Sequence, residues 1–497
     1  MNLNDLPEEV LCQIFDKLDL CELKLASLVC RRWAELTFSG QRMNRVWLVQ
    51  PEGGWKLVLN TRRSYRNILQ RIWPTDSRFE SLAQLLRILK PHVRMLDMRC
   101  SITFQQLRCV LQEVPELQRF EASVLSSRFN VPALTTNEPF PVLTKLKCLK
   151  VHLLEGNHFD FFRMNVPNLH SLTMRCGTDL ELKAWRYMSG QLKLVFIYVS
   201  NSTYCSQFLE LTFPHLEDFT MEETNFMRSE EITSMRGYDF FRRHSLLLRL
   251  SVSVRIPAAW IRSISSYCSE LTYLSLTLDN LEEGILESLV QLTKLRHLSL
   301  RAMEFIYLDR RHYSEQETKL FRGTLKSLES VKLTIHPIRV FLEYLFEAAP
   351  QLKCLEIGFH NFCDDLQALD CQFICEKFSC LRRLVLDVKF VPPDAYPHDH
   401  SVRIDLPEHL QELQMRCGFC FRYMHGKNVR WLRIVALYMF TDHDLNEIPE
   451  KFPLLKRLII VNCHTLSMAG VERLHELMPS CRIDFDSHRF YPYQVFP

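Results

Sequence analysis

A chain of 497 residues, 47% hydrophobic and 24% charged, has the make-up of a folded globular protein and not of a disordered one. Its 61 Lys and Arg stand against 58 Asp and Glu, a net charge of +3, so no general attraction to nucleic acid or to an anionic membrane follows. With 13 Gly and neither a G-x-G-x-x-G nor a G-x-x-x-x-G-K-[ST] pattern, a Gly-rich nucleotide loop is excluded.

The first element is LPEEVLCQIFDKL, residues 6–18. Val10, Leu11, Ile14, Phe15 and Leu18 recur at helical spacing and make one apolar face. Pro7 suits the first helical position, Glu8 and Glu9 favour the positive end of the helix dipole, and Lys17 stands near its other end. Asp19-Leu-Cys-Glu22 has the spacing of a capping box and opens a second helix, with Leu20, Leu23, Leu25, Leu28 and Val29 as its apolar residues. A third stretch, CRRWAELTFS (30–39), presents Trp33 and Leu36. Three short helices this apolar need support, either from the rest of the chain or from another protein. The acidic start, with Asp5, Glu8, Glu9 and Asp16, is unlike a secretory signal, and no apolar run is long enough to span a bilayer. A cytoplasmic or nuclear location is expected, with the 18 Cys as reduced thiols used as small apolar residues.

Leu6-Pro7, Leu11, Ile14-Phe15, Leu18, Leu23, Val29-Cys30, Trp33 and Trp47 together resemble an F-box, over roughly the first tenth of the chain. The resemblance implies binding to the small Skp adaptor, and through it to a cullin scaffold and a RING subunit. Carried over position by position, it makes Leu6, Pro7, Leu11, Ile14, Phe15, Leu18, Val29, Cys30 and Trp33 the adaptor-facing candidates. The plainer alternative is a helical cap that closes the end of the protein's own core.

Residues 45–78 contain RVWLV, WKLVL and SYRNILQRI, expected as strands that open the next region. Arg62, Arg63, Arg66, Arg71 and Arg78 make the stretch locally basic, as a solvated face. A helix over 79–90, FESLAQLLRILK, comes next.

From Val93 onward one spacing dominates, Leu-x-x-Leu-x-Leu. Close copies begin at Leu271, Leu295, Leu352, Leu381, Leu410 and Leu455, and looser ones at Val93, Leu117, Leu146, Leu169, Leu192, Leu216, Leu247, Leu328 and Val429. Most are ~23–29 residues apart, the leucine-rich-repeat period. The x-Leu-x-Leu core is a short strand with one buried face, packed against its neighbours in a stack. Pro115, Pro167, Pro214, Pro350 and Pro453 each stand two residues before the first Leu, where a proline ends a helix and feeds an extended segment. Two longer intervals, 216–247 and 295–328, make the array irregular, and the second holds the polar insert LDRRHYSEQETK (308–319).

The final repeat, LKRLIIVNCHTLSMAGVERLHELMPSCRIDF (455–485), resembles the cysteine-containing repeat of F-box/leucine-rich-repeat proteins, with Cys463 where that family places a buried Cys or Asn. Asp279, Met303, His336 and Lys389 occupy the equivalent position in other copies, so no continuous ladder of that kind is expected. The fold class is therefore α/β: an N-terminal three-helix F-box (1–47), opening strands and a first helix (48–92), a curved leucine-rich-repeat solenoid with strands on its concave face and helices on its convex face (93–485), and an aromatic tail (486–497).

Other motifs carry little chemistry. Cys417-Gly-Phe-Cys420 is a lone C-x-x-C, the group Cys354, Cys363, Cys371, Cys375 and Cys380 matches no zinc spacing, and His398-Asp399-His400 lies in a polar loop. Neither a metal, a cofactor nor a catalytic centre is expected, and neither nucleic acid nor membrane is a partner. Alternation along the strands leaves Phe196, Tyr198, Tyr273, Ser275, His297, Ser299 and Arg301 on the open face, with Asp97, Glu121, Asp218 and Glu222 earlier in the chain. Later strands offer Arg383, Arg416, Trp431, Arg433 and Arg457, diluted by Asp387 and Glu412, as the candidate substrate-binding set for an acidic or phosphorylated segment. What the family resemblance implies is a non-catalytic substrate receptor of a Skp–cullin–F-box ubiquitin ligase, whose repeats hold a protein for ubiquitination and degradation. The alternatives are an F-box/leucine-rich-repeat scaffold that works without cullin, and a ligand-sensing protein.

Overall fold

The computed structural model describes residues 3–51, 54–61, 63–71, 76–125, 142–152, 162, 165–200, 202–223, 234–257, 259–278, 288–302, 323–334, 338–358, 368–387, 403–416, 421, 423–435, 440–463 and 465–486. The 308–319 insert, Cys363, Cys417 with Cys420, the 398–400 loop and the 487–497 tail lie outside the described residues, as do Asp279, Met303, His336 and Lys389. The chain forms two compact units, 1–231 and 232–497.

The first unit begins with helices α1 (Glu8–Phe15), α2 (Leu20–Ala26) and α3 (Arg31–Thr37). Eight strands come after them: β1 (Trp47–Val49), β2 (Asn67–Gln70), β3 (Met95–Thr103), β4 (Arg119–Leu125), β5 (Cys148–His152), β6 (Ser171–Cys176), β7 (Leu194–Val199) and β8 (Asp218–Glu223). Each pairs in parallel with the next in chain order. Parallel neighbours need crossovers, and here α4 (Asp76–Leu89), α5 (Phe104–Glu113), α6 (Asp179–Met188) and α7 (Ser202–Phe208) serve as such returns. Trp185 of α6 packs edge-on to Phe208 at 5.3 Å, and Phe208 stacks on Phe219 of β8 at 6.0 Å, which locks return to strand.

The second unit repeats the scheme. Its ladder runs β9 (Arg249–Ile256), β10 (Tyr273–Leu278), β11 (His297–Ala302), β12 (Ser330–Thr334), β13 (Cys354–Gly358), β14 (Arg383–Asp387), β16 (Glu412–Met415), β18 (Trp431–Val435), β19 (Arg457–Val461) and β20 (Arg482–Asp486), all parallel. Between them lie α8 (Ser234–Arg243), α9 (Ala259–Tyr267), α10 (Ile338–Ala348), α11 (Ala368–Lys377), α12 (Asp442–Lys451) and α13 (Met468–Leu477). A separate pair, β15 (Ile404–Asp405) with β17 (Met424–His425), occupies two of the late returns.

Register explains the Leu spacing. Leu274, Leu298, Val331, Leu355, Leu384 and Leu413 align across successive strands as one buried row. Burial of each such side chain is worth about 1.5–3 kcal/mol, so a charge introduced in a row would disturb both neighbouring repeats. The first Leu of each copy lies outside the strand. Its N–H closes a turn onto the carbonyl three residues earlier, as for Leu271 to Cys268 (3.2 Å), Leu295 to Leu292 (3.0 Å) and Leu381 to Phe378 (3.1 Å), and its side chain is buried. All fifteen copies therefore begin two residues before a strand.

One carbonyl then fixes each step to the next. The oxygen of Arg94 accepts from both Gln118 N (2.7 Å) and Arg119 N (3.0 Å), that of Lys193 from Glu217 and Asp218, and that of Arg382 from Gln411 and Glu412. Pro115, Pro214, Pro350 and Pro453 stand in the turn just before these donors, where their missing N–H costs no ladder bond.

One expectation fails. WKLVL does not form a strand: Trp55–Val58 is a 3₁₀ turn that begins after Gly54, whose φ of 83° few other residues adopt. The Trp55 indole is fully buried and its Nε1–H donates to Gln70 Oε1 of β2, so one anchored aromatic outweighs the apolar pattern. No helix among the described residues is long and apolar enough to cross a membrane.

Candidate functional site

The N-terminal helices build a small core of their own. Asp19 caps α2, accepting from Cys21 N (2.8 Å) and Glu22 N (2.9 Å), while Glu22 Oε2 accepts from Asp19 N (2.8 Å). Pro7 lies one position earlier than expected, at the cap of α1, and its carbonyl accepts from Leu11 N at 3.1 Å. Leu11 and Phe15 of α1 meet Leu23 and Ala26 of α2, with Leu6, Leu18, Trp33 and Leu36 packed around them. Phe15 and Trp33 contact edge to face at 5.2 Å.

A buried arginine ties this core to the segment leading into β1. Arg42 donates to Leu36 O (2.7 Å), Asp16 Oδ1 (2.9 Å) and Cys12 O (3.4 Å). Burial alone would lower its pKa, but the hydrogen bonds to Asp16 and Cys12 outweigh that and raise it above the ordinary arginine value. Two and four residues on, Asn44 and Val46 offer their carbonyls to buried Asn67 Nδ2 of β2, at 2.8 and 3.1 Å. The helices are thereby seated on the second strand of the ladder.

The structure sorts the nine adaptor-facing candidates. Leu11 and Phe15, four residues apart on one side of α1, are fully buried against α2 and serve as packing residues, in place of the outward, adaptor-facing position expected of them, while Ile14 between them stays exposed. Leu6, Leu18 and Trp33 are half-buried against the same core. Cys30 is the cap of α3, its sulfur accepting from Trp33 N at 3.5 Å. Pro7, Ile14 and Val29 remain open to solvent.

Beyond the candidates, further apolar side chains are exposed. Leu28 is 81% accessible and Leu25 68%, next to the candidate Val29 at 59%, and Leu3, Val10 and Leu20 are exposed as well. Spacing alone does not single out Leu25 and Leu28, because it groups them with Leu23 among the apolar residues of α2. Seven of the exposed large hydrophobic residues fall within residues 3–29, a density that marks an interaction surface.

On the second unit's open strand face, Arg383, Glu412, Trp431, Arg457 and Arg482 align in one row. Its arginines face carboxylates: Arg383 with Glu412 at 3.7 Å and Arg457 with Asp484 at 3.0 Å, and beside the row Arg416 meets Asp387 at 2.9 Å. Burial would raise the Asp484 pKa, yet Arg482 and Arg457 hold it below the usual carboxylate value. The set expected to be basic is thus largely neutralised, and among its members Arg433 alone shows no carboxylate partner among the described residues.

The first unit's open face differs. Asp97, Glu121 and Lys150 align, with Lys150 Nζ 2.5 Å from Glu121 Oε1. Burial, then the charge of Glu121, raises the Asp97 pKa, and burial raises that of Glu222. Phe196 and Tyr198 lie 4.8 Å apart on β7.

Residues 3–47 match the F-box-like family, so the chain carries an F-box-like domain at its N-terminus. Among solved structures the chain is similar to one described as the crystal structure of the Rad7 and Elc1 complex in yeast, with 14% identity, a TM-score of 0.39, and coverage of 96% of this chain and 92% of that one. No curated protein matches the chain.

Proposed function

We propose that the protein is a non-catalytic substrate receptor of a Skp–cullin–F-box ubiquitin ligase, with residues 1–47 as the F-box, 48–92 as the opening of the array, 93–485 as leucine-rich repeats and 486–497 as a tail. The observation that carries this reading is the crowd of exposed apolar side chains on the F-box-like domain, Leu25, Leu28 and Val29 foremost. A helical cap that served only the protein's own core would bury them.

In this role the F-box docks the Skp adaptor through Pro7, Ile14, Leu25, Leu28 and Val29, and the adaptor links the chain to cullin and RING subunits. The repeats hold a protein substrate on their open strand face, with Trp431 and Arg433 as candidate contacts and Arg383, Arg416 and Arg457 as paired flanking charges. Catalysis is by proximity: holding the substrate near the charged ubiquitin carrier raises the effective concentration of its lysines. The proposed location is cytoplasmic or nuclear.

Affinity capture of the tagged chain from cells tests the reading. Recovery of adaptor together with cullin supports it, adaptor without cullin indicates a scaffold that works outside the ligase, and recovery of neither refutes both.

A further inference from the structure

Along one edge of the second unit, the residue just before each late strand is stacked on its counterpart in the next repeat. Arg382 N donates to Lys353 O (2.8 Å), Gln411 N to Arg382 O (2.9 Å), Arg430 N to Gln411 O (2.9 Å) and Lys456 N to Arg430 O (2.8 Å). The strands that follow are in register, Arg383 with Glu412, Glu412 with Trp431 and Trp431 with Arg457. Arg382, Gln411, Arg430 and Lys456 therefore form one column, and all four are exposed.

Earlier in the chain the charges at this position are answered. Lys353 Nζ lies 3.0 Å from Glu329 Oε1 of the preceding repeat, and that contact holds the Glu329 carboxyl below its ordinary pKa. At the equivalent positions of the first unit, Lys193 meets Glu217 at 2.7 Å. From β14 onward the answer is missing. Arg382, Arg430 and Lys456 have no carboxylate within ion-pair distance among the described residues. Glu408 and Lys427, in the turns before Gln411 and Arg430, cancel each other in charge.

Like charges directly opposite on neighbouring strands repel, and Arg430 and Lys456 are one strand apart, about 4.8 Å between backbones. A row of carboxylates laid along the column would turn that repulsion into attraction. The lengths agree. From Arg382 to Lys456 is three strand steps, about 14 Å, and in an extended chain three side chains on one face, at i, i+2 and i+4, span about 13–14 Å. Gln411 stands in the gap between Arg382 and Arg430, where its amide offers further hydrogen-bond donors.

We propose that the column of Arg382, Gln411, Arg430 and Lys456 docks an extended acidic segment, a run rich in Asp or Glu, of a partner protein. A protein fits better than a nucleic acid. The cations stand in a single line, not a broad groove, and the turns that carry them expose no Phe, Tyr or Trp on which bases would stack. The column is separate from the open strand positions to which the receptor reading assigns the substrate, so the proposal does not rest on that reading.

The purified full chain is titrated at low salt, with fluorescence anisotropy as the readout, into three labelled probes: a peptide of alternating Glu and Ser, its Gln-Ser counterpart, and an oligothymidylate of the same charge as the first. The Glu peptide should bind about tenfold more tightly than the Gln peptide, about twofold for each of three exposed ion pairs, and added salt should weaken it. A variant carrying Arg382→Gln, Arg430→Gln and Lys456→Gln should lose the preference and melt no lower than the wild type, because it removes neighbouring like charges. A control carrying Lys145→Gln, Lys147→Gln and Arg186→Gln, exposed cations of the first unit, should keep the preference. Arg382→Glu, Arg430→Glu and Lys456→Glu together should transfer it to a Lys-Ser peptide. Equal binding of the Glu and Gln peptides, or a preference that survives the triple Gln variant, overturns the proposal. Oligothymidylate that binds more tightly than the Glu peptide, and loses that binding in the triple Gln variant, overturns the protein partner in favour of a nucleic acid.

Discussion

Replacing Leu28 by Ala should weaken adaptor capture while leaving the fold as stable as before. Leu28 lies just past α2, held by a hydrogen bond from its N–H to Leu25 O at 3.0 Å, and 81% of it is accessible. Full burial of a leucine side chain is worth about 1.5–3 kcal/mol, so covering one that stands this open contributes about 2 kcal/mol, a factor of about 30 in Kd. Leu11 is the counterpart, fully buried in the core of the same three helices. Leu11→Ala leaves a cavity and should cost about 2–5 kcal/mol of folding stability. Titration of purified adaptor by calorimetry, with melting temperatures recorded for each variant, separates the two effects. Unchanged adaptor affinity for Leu28→Ala, or a melting temperature that falls as far as that of Leu11→Ala, would refute the assignment of Leu28 to the docking face.

Arg42→Leu should lower the melting temperature, since it removes the hydrogen bonds from Arg42 to Leu36 O, Asp16 Oδ1 and Cys12 O and frees the segment between α3 and β1; the expected cost is about 1–3 kcal/mol, read by urea unfolding. His244 is buried, its Nδ1 2.7 Å from the Phe240 carbonyl, and burial pulls its pKa down to about 4. The unfolded chain therefore binds the proton more tightly than the folded one, so stability is full above about pH 6.5 and falls as pH drops toward 4. His244→Leu should flatten that slope in unfolding curves taken at pH 7 and pH 5, and an unchanged slope would show that other groups set it. Cys205 and Cys268 are buried, with thiol pKa values pushed up to about 12, whereas Cys21 and Cys380 are exposed. A thiol reagent should modify Cys21 and Cys380 in the native protein and reach Cys205 and Cys268 only after denaturant is added, as mapped by peptide mass.

The repeat spacing carried most of the fold, because burial of every second residue is written directly into the order of amino acids. Each Leu-x-x-Leu-x-Leu copy predicted its strand to within two residues, and the offset has a cause in the turn that the first Leu closes. WKLVL misled because its fate depends on Gln70, fifteen residues away, and not on its own pattern. The same holds for charge. Arg457 reads as basic along the chain, but its partner Asp484 is one repeat further on, and only register brings them together. On α1, spacing identified the apolar face of the helix but not which of its residues α2 would cover, so Leu11 and Ile14 could be told apart only in the fold.

The central claim is that the exposed apolar surface of residues 3–29 docks the chain to a ubiquitin ligase. Co-expression of the full chain with Skp adaptor, cullin and RING subunit, followed by size-exclusion chromatography with light scattering, tests it most directly. The account predicts one complex with a single copy of each subunit, lost when Leu25 and Leu28 are both replaced by Asp. A wild-type chain that elutes apart from the adaptor, or a double variant that still assembles, would contradict it.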